Sequence, residues 1–421
     1  MIDHCNRWLL AFCAAYLALL PTNVATFVHS VAFVGTIVFA LCATFAARGR
    51  DGCVPPPGWL VGVPLAVWCA WSLASLAWSV HPAYSQSQLE REVGDSLLVM
   101  FAFYVAARDA QSFRTLAGAA LAGFAVLALL AIGMQLVEGD WDAGRWHHGV
   151  GPWSTWTVLV APLLFALLAP PPAGFGNGTR SVVIGVVLVA LLVVTDRMTD
   201  NRIVWVALAG AFGAASLVAA MRWPHTVVRA PLRWIAPLCA ILVVLALGFT
   251  DAARERATLA YSPQTSVAAS LERDPRLVLW DRIVEKIKAR PWTGYGFGRR
   301  ILATELATEL KNPLLVHAHN VFASQWLQSG VVGALAFAAL LCALGIRYAR
   351  FLGSRDDTLA FVGVVGISLL AGFVIKNLTD DFMFRSNAKE FFALAAMLLG
   401  YGARREETLR TAAVALARET A

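Results

Sequence analysis

The feature that most constrains this chain is a series of long apolar segments, because ~20 mostly apolar residues in a helix are long enough to cross a bilayer. Only 14% of its 421 residues are charged, whereas a soluble domain carries about 25%. The sequence therefore predicts an all-α polytopic membrane protein with about twelve transmembrane helices. The expected spans are Trp8–Leu20, Val24–Ala46, Trp59–Ser79, Val93–Ala107, Phe113–Val137, Trp153–Ala169, Ser181–Val194, Ile203–Met221, Trp234–Thr250, Val321–Tyr348, Thr358–Ile375 and Ala388–Tyr401.

The arginines and lysines of the short connections predict the orientation of the chain. They are concentrated on the side that holds both termini, so the positive-inside rule places the N-terminus and the C-terminus in the cytoplasm. The net charge of +7 is therefore mainly a topology signal, and we expect no nucleic-acid partner. The fifteen tryptophans cluster near span ends, as Trp78 and Trp153 do, which is typical of an interfacial belt.

One long charged segment divides the chain into three parts. Residues 1–250 hold the first nine spans, residues 251–320 form a large extracytoplasmic loop, and residues 321–421 hold the last three spans and a cytoplasmic tail. The spans are nearly free of ionisable residues, which ion and proton pathways usually need. The charge distribution favours chemistry in the loop, at the membrane surface, over passage through the membrane.

The loop has a helical pattern of its own. Asp274-Pro275 is typical of a helix start, and Pro291 ends the apolar repeat that follows. The apolar positions of this amphipathic helix are Leu277, Trp280, Ile283, Val284 and Ile287. A glycine-punctuated turn at residues 291–298 and a shorter amphipathic helix, Leu302–Leu310, come next.

His317, His319 and Asn320 stand where the loop meets the tenth span, and His317 and Asn320 are candidates for binding the substrate. A histidine titrates near neutrality, so it can take a proton from a hydroxyl group at working pH. The alternative for a single histidine is a surface position near lipid headgroups. Two histidines could also suggest a metal, but no Cys, Asp or Glu lies nearby at ligand spacing. We therefore expect neither a metal nor another cofactor.

Three arginines lie at outside ends of spans or helices: Arg145, Arg202 and Arg276. Outward guanidinium groups at a membrane surface suit a diphosphate or phosphate ester, through two-point hydrogen bonds. For each arginine alone, contact with lipid headgroups or a salt bridge is the alternative.

A pair of carboxylates, Asp380-Asp381, lies between the last two spans, close to Lys376 and Arg385. Asp381 is a candidate for binding a sugar hydroxyl group, and an acid here could also orient a histidine. Pairing with the neighbouring cations is the alternative.

Taken together, these residues resemble the signature of the O-antigen ligase family. The signature runs over residues 276–330, and the element with the highest specificity is a histidine next to an asparagine. Its residues here are Arg276 with Trp280, then Gly294, Gly296 and Gly298, then His317-Ala318-His319-Asn320, and Gly330.

The resemblance implies a fold similar to the GT-C glycosyltransferases and a metal-independent reaction at the periplasmic face of the bacterial inner membrane. Members of the family transfer a polysaccharide from undecaprenyl diphosphate to a sugar hydroxyl group of lipid A–core. The implied partners are these two lipids and the surrounding membrane lipids. The resemblance assigns catalysis to His319, with Arg276 and Arg202 on the diphosphate.

Three alternatives stay open on the sequence. The same superfamily contains O-antigen polymerases, which use a glycan as acceptor, and protein O-oligosaccharyltransferases. A flippase or transporter of lipid-linked glycans belongs to a different class and predicts ionisable residues along a central cavity.

Overall fold

The computed structural model describes residues 2–47, 55–169, 179–199, 201–225, 239, 241–246, 275–312 and 315–419. Within these ranges the secondary structure is helical and contains no β-strand. The helices before residue 250 are α1 (Ile2–Leu19), α2 (Thr26–Ala47), α3 (Trp59–Ala74), α4 (Pro82–Gln88), α5 (Asp95–Ala106), α6 (Ala110–Glu138), α7 (Ala143–Trp146), α8 (Val150–Leu168), α9 (Thr179–Met198) and α10 (Arg202–Arg222). A 3₁₀ turn, Ser75–Trp78, follows α3, and a π-helical turn, Leu89–Gly94, precedes α5.

The later helices are α11 (Pro275–Ala289), α12 (Ala303–Leu310), α13 (Val321–Leu352), α14 (Asp357–Asn377) and α15 (Arg385–Glu419). Across the described residues, eight helices are long and apolar enough to cross a membrane, which makes this a multi-pass membrane protein. They are α2, α3 with its 3₁₀ turn, α6, α8, α9, α10, α13 and α14. Helices α1, α5 and α15 coincide with further expected spans. The expected ninth span lies largely outside the described residues, so the number twelve stays a prediction.

Helices α10 and α14 pack side by side in opposite directions. The Ser368 hydroxyl group donates to the Ala211 carbonyl (2.8 Å), and the Trp223 indole donates to Asp357 (2.9 Å). The N-terminal end of α10 therefore lies at the same end of the bundle as the C-terminal end of α14. Other connections converge on this end, which we call the site face. There Gly151 contacts the Phe382 ring, and the Asn23 amide donates to the His147 carbonyl (2.7 Å).

Helix α13 is broken at Gly330, and the glycine-rich turn of the loop fills the break. Gly330 has φ +69°, so the helical hydrogen bonds are interrupted there. The carbonyls of Leu327 and Gln328 accept instead from the backbone N–H groups of Tyr295 (3.0 Å) and Gly296 (2.9 Å). On the other side of the break, Val331 donates to the Pro291 carbonyl (2.9 Å). A buried backbone group must find a partner, and here a distant part of the chain provides it.

Three tryptophan indoles fix the same junction from the bundle side. Trp71 donates to the Ser329 carbonyl (2.7 Å), Trp78 to the Thr293 carbonyl (2.6 Å) and Trp326 to the Pro291 carbonyl (3.0 Å). From the sequence, tryptophans near span ends were expected to form an interfacial belt. Trp78 has a more specific role, because its N–H group satisfies a carbonyl of the turn.

The loop also has its own apolar core. Leu279 and Ile283 of α11 are buried against Leu306 of α12 and Leu327 of α13. Both amphipathic helices predicted from the sequence are confirmed, α11 starting at Pro275 and α12 covering Ala303–Leu310.

The face on which α11 packs agrees with the prediction only in part: Trp280, Ile283 and Ile287 pack in the core of the loop as expected. Leu277 and Val284 are 42% and 47% exposed, although both belonged to the predicted apolar face. Helix α11 packs with Leu279 and Ile283 because its neighbours are α12 and the broken helix rather than a flat apolar surface.

The break in α13 predicts a strong effect of Gly330→Ala. A β-carbon at position 330 would lie 1.9 Å from the Trp292 carbonyl oxygen, at a φ that L-residues rarely adopt. We expect the free energy of unfolding to fall by at least about 2 kcal/mol, measured by denaturation of the purified protein in detergent.

Gly345→Ala is the matched control, because it lies on the same helix and its nearest added contact is at an ordinary 3.6 Å. Alanine there is expected to be neutral or to stabilise by up to ~1 kcal/mol. Equal stability of the two variants would show that the break does not depend on a residue without a side chain.

Candidate functional site

The segment that carries the two histidines is held from both sides. The Trp280 indole donates to the carbonyl of Ala318, between the histidines (3.0 Å). Asn320 caps α13 by accepting from the Ala323 N–H group (2.9 Å), and its amide donates to the Leu378 carbonyl (2.8 Å). Trp280 and Asn320 thus fix the backbone of this segment. The substrate-binding role that the sequence suggested for Asn320 stays a prediction.

The two histidine rings are in close contact, with centroids 3.8 Å apart and planes inclined by 32°. His317 is buried, whereas the His319 side chain is 17% exposed. His319 has φ +49°, a left-handed conformation that is uncommon for a residue with a side chain. The ring of His319 is therefore held in place, and both of its nitrogens are buried without a hydrogen-bond partner among the described residues.

Arg299 determines the protonation of His317. One of its terminal guanidinium nitrogens contacts His317 Nε2. A guanidinium can only donate, so Nε2 is the acceptor, and the neutral ring carries its proton on Nδ1. Burial, together with the positive charge of Arg299, lowers the pKa of His317 to about 2. His317 is therefore uncharged, and the ring of His319 packs against it.

Asp380 joins this pair from the connection between α14 and α15. One of its oxygens accepts from the Lys376 ammonium (2.6 Å), and the other lies 3.6 Å from His319 Nδ1. The second distance is longer than a hydrogen bond, so the attraction between Asp380 and His319 is electrostatic. Burial alone would raise the pKa of Asp380, but Lys376 and His319 together outweigh it and hold the pKa below its usual range.

Asp381 lies on the other side of the cluster, facing Arg299. Its Oδ2 is 3.9 Å from Arg299 Nε, and neither atom has a hydrogen-bond partner among the described residues. The rings of Phe382 and Phe384 flank the guanidinium, at 4.8 and 5.1 Å. Burial raises the pKa of Asp381, although Arg299 opposes the shift.

A metal site is one use that this cluster could have. His317, His319 and Asp380 each place a possible ligand atom within 4.8 Å of the others. The sequence had found no acid at ligand spacing, because Asp380 comes from a different element. Two of the three groups, however, already face a cation: His317 faces Arg299, and Asp380 faces Lys376. A divalent ion would be repelled by both, so this donor set fits a metal poorly.

The structure brings His317, His319 and Asp381 together, but not every predicted residue joins them. Arg145 lies on the site face, half-exposed, and is paired with Glu138 (2.6 Å). Arg202 opens α10 and is exposed. Ala211 lies opposite Ser368 on the antiparallel helix α14. Arg202 is nine residues before Ala211, and the last residue of α14 is nine residues after Ser368, so Arg202 lies at the same height in the bundle as the region of Lys376. Arg276 is the second residue of α11, and its side chain lies outside the described part of the structure.

Reasoning from the sequence missed several charged residues. Arg299 directly follows the last glycine of the turn, and that position was the only signal it gave. Glu92 is buried in the π-helical turn, a distortion often found at functional sites. Asp196 and Glu390 are buried in α9 and α15. The spans thus contain more ionisable groups than we expected.

Comparison with known proteins agrees with this geometry. Residues 165–338 match the family model described as O-antigen ligase. The match includes Arg202, the glycine turn, both histidines and the broken helix, and it covers about two-fifths of the chain. No curated protein matches the sequence. The match supports the resemblance found in the sequence: residues 165–338 of this chain are similar to the O-antigen ligase family.

Proposed function

We propose that this protein is an O-antigen ligase, which transfers a polysaccharide from undecaprenyl diphosphate to a sugar hydroxyl group of lipid A–core. The observation that carries the proposal is the position of His319: a histidine whose two ring nitrogens have no hydrogen-bond partner among the described residues, beside a carboxylate, at one face of a membrane bundle. The family domain supports a membrane glycosyltransferase of this superfamily. The arginine distribution supports a periplasmic location of this face, in the inner membrane.

In the proposed reaction, His319 acts as the general base. The acceptor hydroxyl oxygen attacks the anomeric carbon of the glycan, and His319 takes the hydroxyl proton. The bond between that carbon and the lipid diphosphate breaks, and its electron pair leaves with the diphosphate. Asp380, 3.6 Å from Nδ1, favours the tautomer with a proton on Nδ1 and stabilises the imidazolium that forms. In-line displacement inverts the anomeric centre.

The leaving diphosphate needs positive charge that the buried cluster cannot supply in full. The formal charges of Arg299 and Lys376 are already balanced by Asp380 and Asp381. Additional cations are therefore required as negative charge develops on the diphosphate. In our proposal Arg202 and Arg276 fill this role, because Arg202 lies on the site face and Arg276 belongs to the helix whose Trp280 contacts the histidine segment.

Arg299 would act differently from those two arginines. It is buried between two aromatic rings and contacts His317. We propose that Arg299 positions His319 indirectly: it holds the His317 ring, and the His317 ring packs against His319. The roles of Arg145 and Asp381 in substrate binding are retained as proposals, Asp381 through its unpaired Oδ2 at the cluster.

A transporter is the rival that the structure strengthens most, because Asp196, Lys376 and Glu390 are buried ionisable residues within helices. Their contacts argue against a passage. Asp196 accepts from the Thr157 hydroxyl (2.9 Å), and Lys376 donates to Asp380 (2.6 Å). All three side chains are packed against protein rather than along an open cavity, which favours a static role in the bundle.

The test of the function is the lipopolysaccharide profile of a deletion strain. We expect bare lipid A–core, with full-length polymer accumulating on its lipid carrier, and restoration by the wild-type gene. Core bearing a single repeat unit would instead identify a polymerase. Accumulation of lipid-linked units on the cytoplasmic side would identify a flippase.

His319→Ala tests the general base. We expect the ligation rate to fall by ~10²–10⁴ while the lipid-linked donor still binds, measured on purified protein at matched amounts. Arg299→Lys keeps the charge but loses the planar donor set, so it should lower kcat with little change in donor KM. Arg300→Ala, an exposed neighbour, is the control. The assignment fails if His319→Ala ligates normally.

Metal independence follows from the two cations that already contact His317 and Asp380. Purified enzyme in an excess of chelator is expected to keep most of its activity. A loss of activity that Mg²⁺ or Mn²⁺ restores would contradict this and would make His317, His319 and Asp380 the ligands.

A further inference from the structure

A separate cleft opens on the loop, away from the histidine pair. Its volume is about 300 Å³, at the lower end of the ~300–1,000 Å³ of ligand pockets. It is formed where the connection after α3 meets the glycine turn and α12. The lining residues are Val80, His81, Arg290, Tyr295, Ile301, Leu302, Thr304 and Glu305.

The walls of the cleft are held by contacts between the bundle and the loop. The Val80 N–H group donates to the Tyr295 carbonyl (2.9 Å), and the Tyr295 hydroxyl group donates to the Lys286 carbonyl (3.1 Å). Ile301 and Leu302 belong to the buried core of the loop. The cleft is therefore built from fixed elements, as a preformed binding site requires.

The polar groups at the rim are suited to hydroxyl groups. Arg290 packs over the Tyr295 ring (4.9 Å), and among the described residues it has no carboxylate partner. His81 and Thr304 are exposed. Glu305 is held by the Lys286 ammonium, which also binds Glu309 (2.6 Å). A guanidinium, an imidazole, a hydroxyl group and a carboxylate thus surround an apolar floor, and together they can donate to and accept from a polyol.

We propose that this cleft binds one or two sugar units of a saccharide that also reaches the histidine pair. The ligand class follows from the mixed donors and acceptors on an apolar floor, and the size follows from the volume. Tyr295 and Arg299 are four positions apart in the sequence, so the Cα atoms of these residues, one from each site, are at most about 14 Å apart. The proposal rests on the proposed function for the identity of the saccharide, which is either the transferred glycan or the acceptor core.

The experiment fills the cleft with a side chain. Thr304→Trp places an indole at the rim, and Thr308→Trp, an equally exposed threonine one turn later on α12 that does not line the cleft, is the matched control. The full-length proteins are assayed with donors that carry one repeat unit or a polymer, and with complete or truncated lipid A–core. Thermal unfolding of each variant verifies folding, and Arg290→Met is a second cleft variant.

We expect Thr304→Trp to raise the KM for either the donor or the acceptor by about tenfold, with kcat nearly unchanged. Thr308→Trp is expected to change neither kcat nor KM. A rise in donor KM for the polymer but not for the single unit assigns the cleft to the transferred glycan. A rise in acceptor KM that disappears with truncated core assigns it to the acceptor. Unchanged KM values in both cleft variants, or a loss of kcat alone, would overturn the proposal.

A binding measurement separates this inference from the proposed function. Saturation-transfer NMR with the delipidated polysaccharide and with the delipidated core oligosaccharide is expected to show contact in the wild type and its loss in Thr304→Trp. If the wild type binds a saccharide in the cleft but does not ligate, the proposed reaction is refuted and the proposed saccharide site is not. If the wild type ligates but neither saccharide contacts the cleft, the proposed saccharide site is refuted and the proposed reaction is not.

Discussion

The interaction on which the rest of the structure depends is the backbone pairing between the glycine turn and the broken helix α13. A membrane helix can be interrupted only where another part of the protein satisfies the freed carbonyl and N–H groups. Here Tyr295, Gly296 and Pro291 do so at the Gly330 break. The pairing also fixes the direction in which the chain leaves the turn, and Arg299 emerges there toward His317. This contact between backbones thus helps to place Arg299 against His317, whereas Trp280 and Asn320 hold the segment of His319.

The site shows how a membrane protein can bury several charges close to a reactive group. Each charge on its own would be costly to remove from water, but two cations and two carboxylates placed alternately offset much of that cost. The arrangement is formed before substrate binds, so its groups need little reorganisation during the reaction. The same balance leaves these four groups with no net formal charge, so the reaction that we propose relies on cations elsewhere on the site face for its diphosphate.

Much of this could be predicted from the sequence, because the signals are local. The membrane class follows from composition, α11 and α12 from periodicity and proline, and the start of α13 from the histidine–asparagine segment. The sequence suggested that an acid of the Asp380-Asp381 pair could orient a histidine, but not that Asp380 faces His319, since the two positions are 61 residues apart and only the packing of α13 and α14 brings them together. The packing face of α11 was predicted only in part for the same reason. Arg299 carried no pattern of its own, and the break at Gly330 is visible only once its partner turn is known.

The left-handed backbone of His319 has a consequence for how this position can vary in evolution. Among residues with a side chain, that conformation is tolerated mainly by Asn, Asp and His, and it is costly for β-branched ones. The general base that we propose at this position, however, is best served by histidine at neutral pH. Two unrelated selection pressures, one on main-chain shape and one on proton affinity, therefore act on the same codon. Substitution by Thr or Val therefore has two costs, one in backbone strain and one in the loss of the proposed base. Asn or Asp at this position would keep the left-handed backbone but not the proposed proton acceptor.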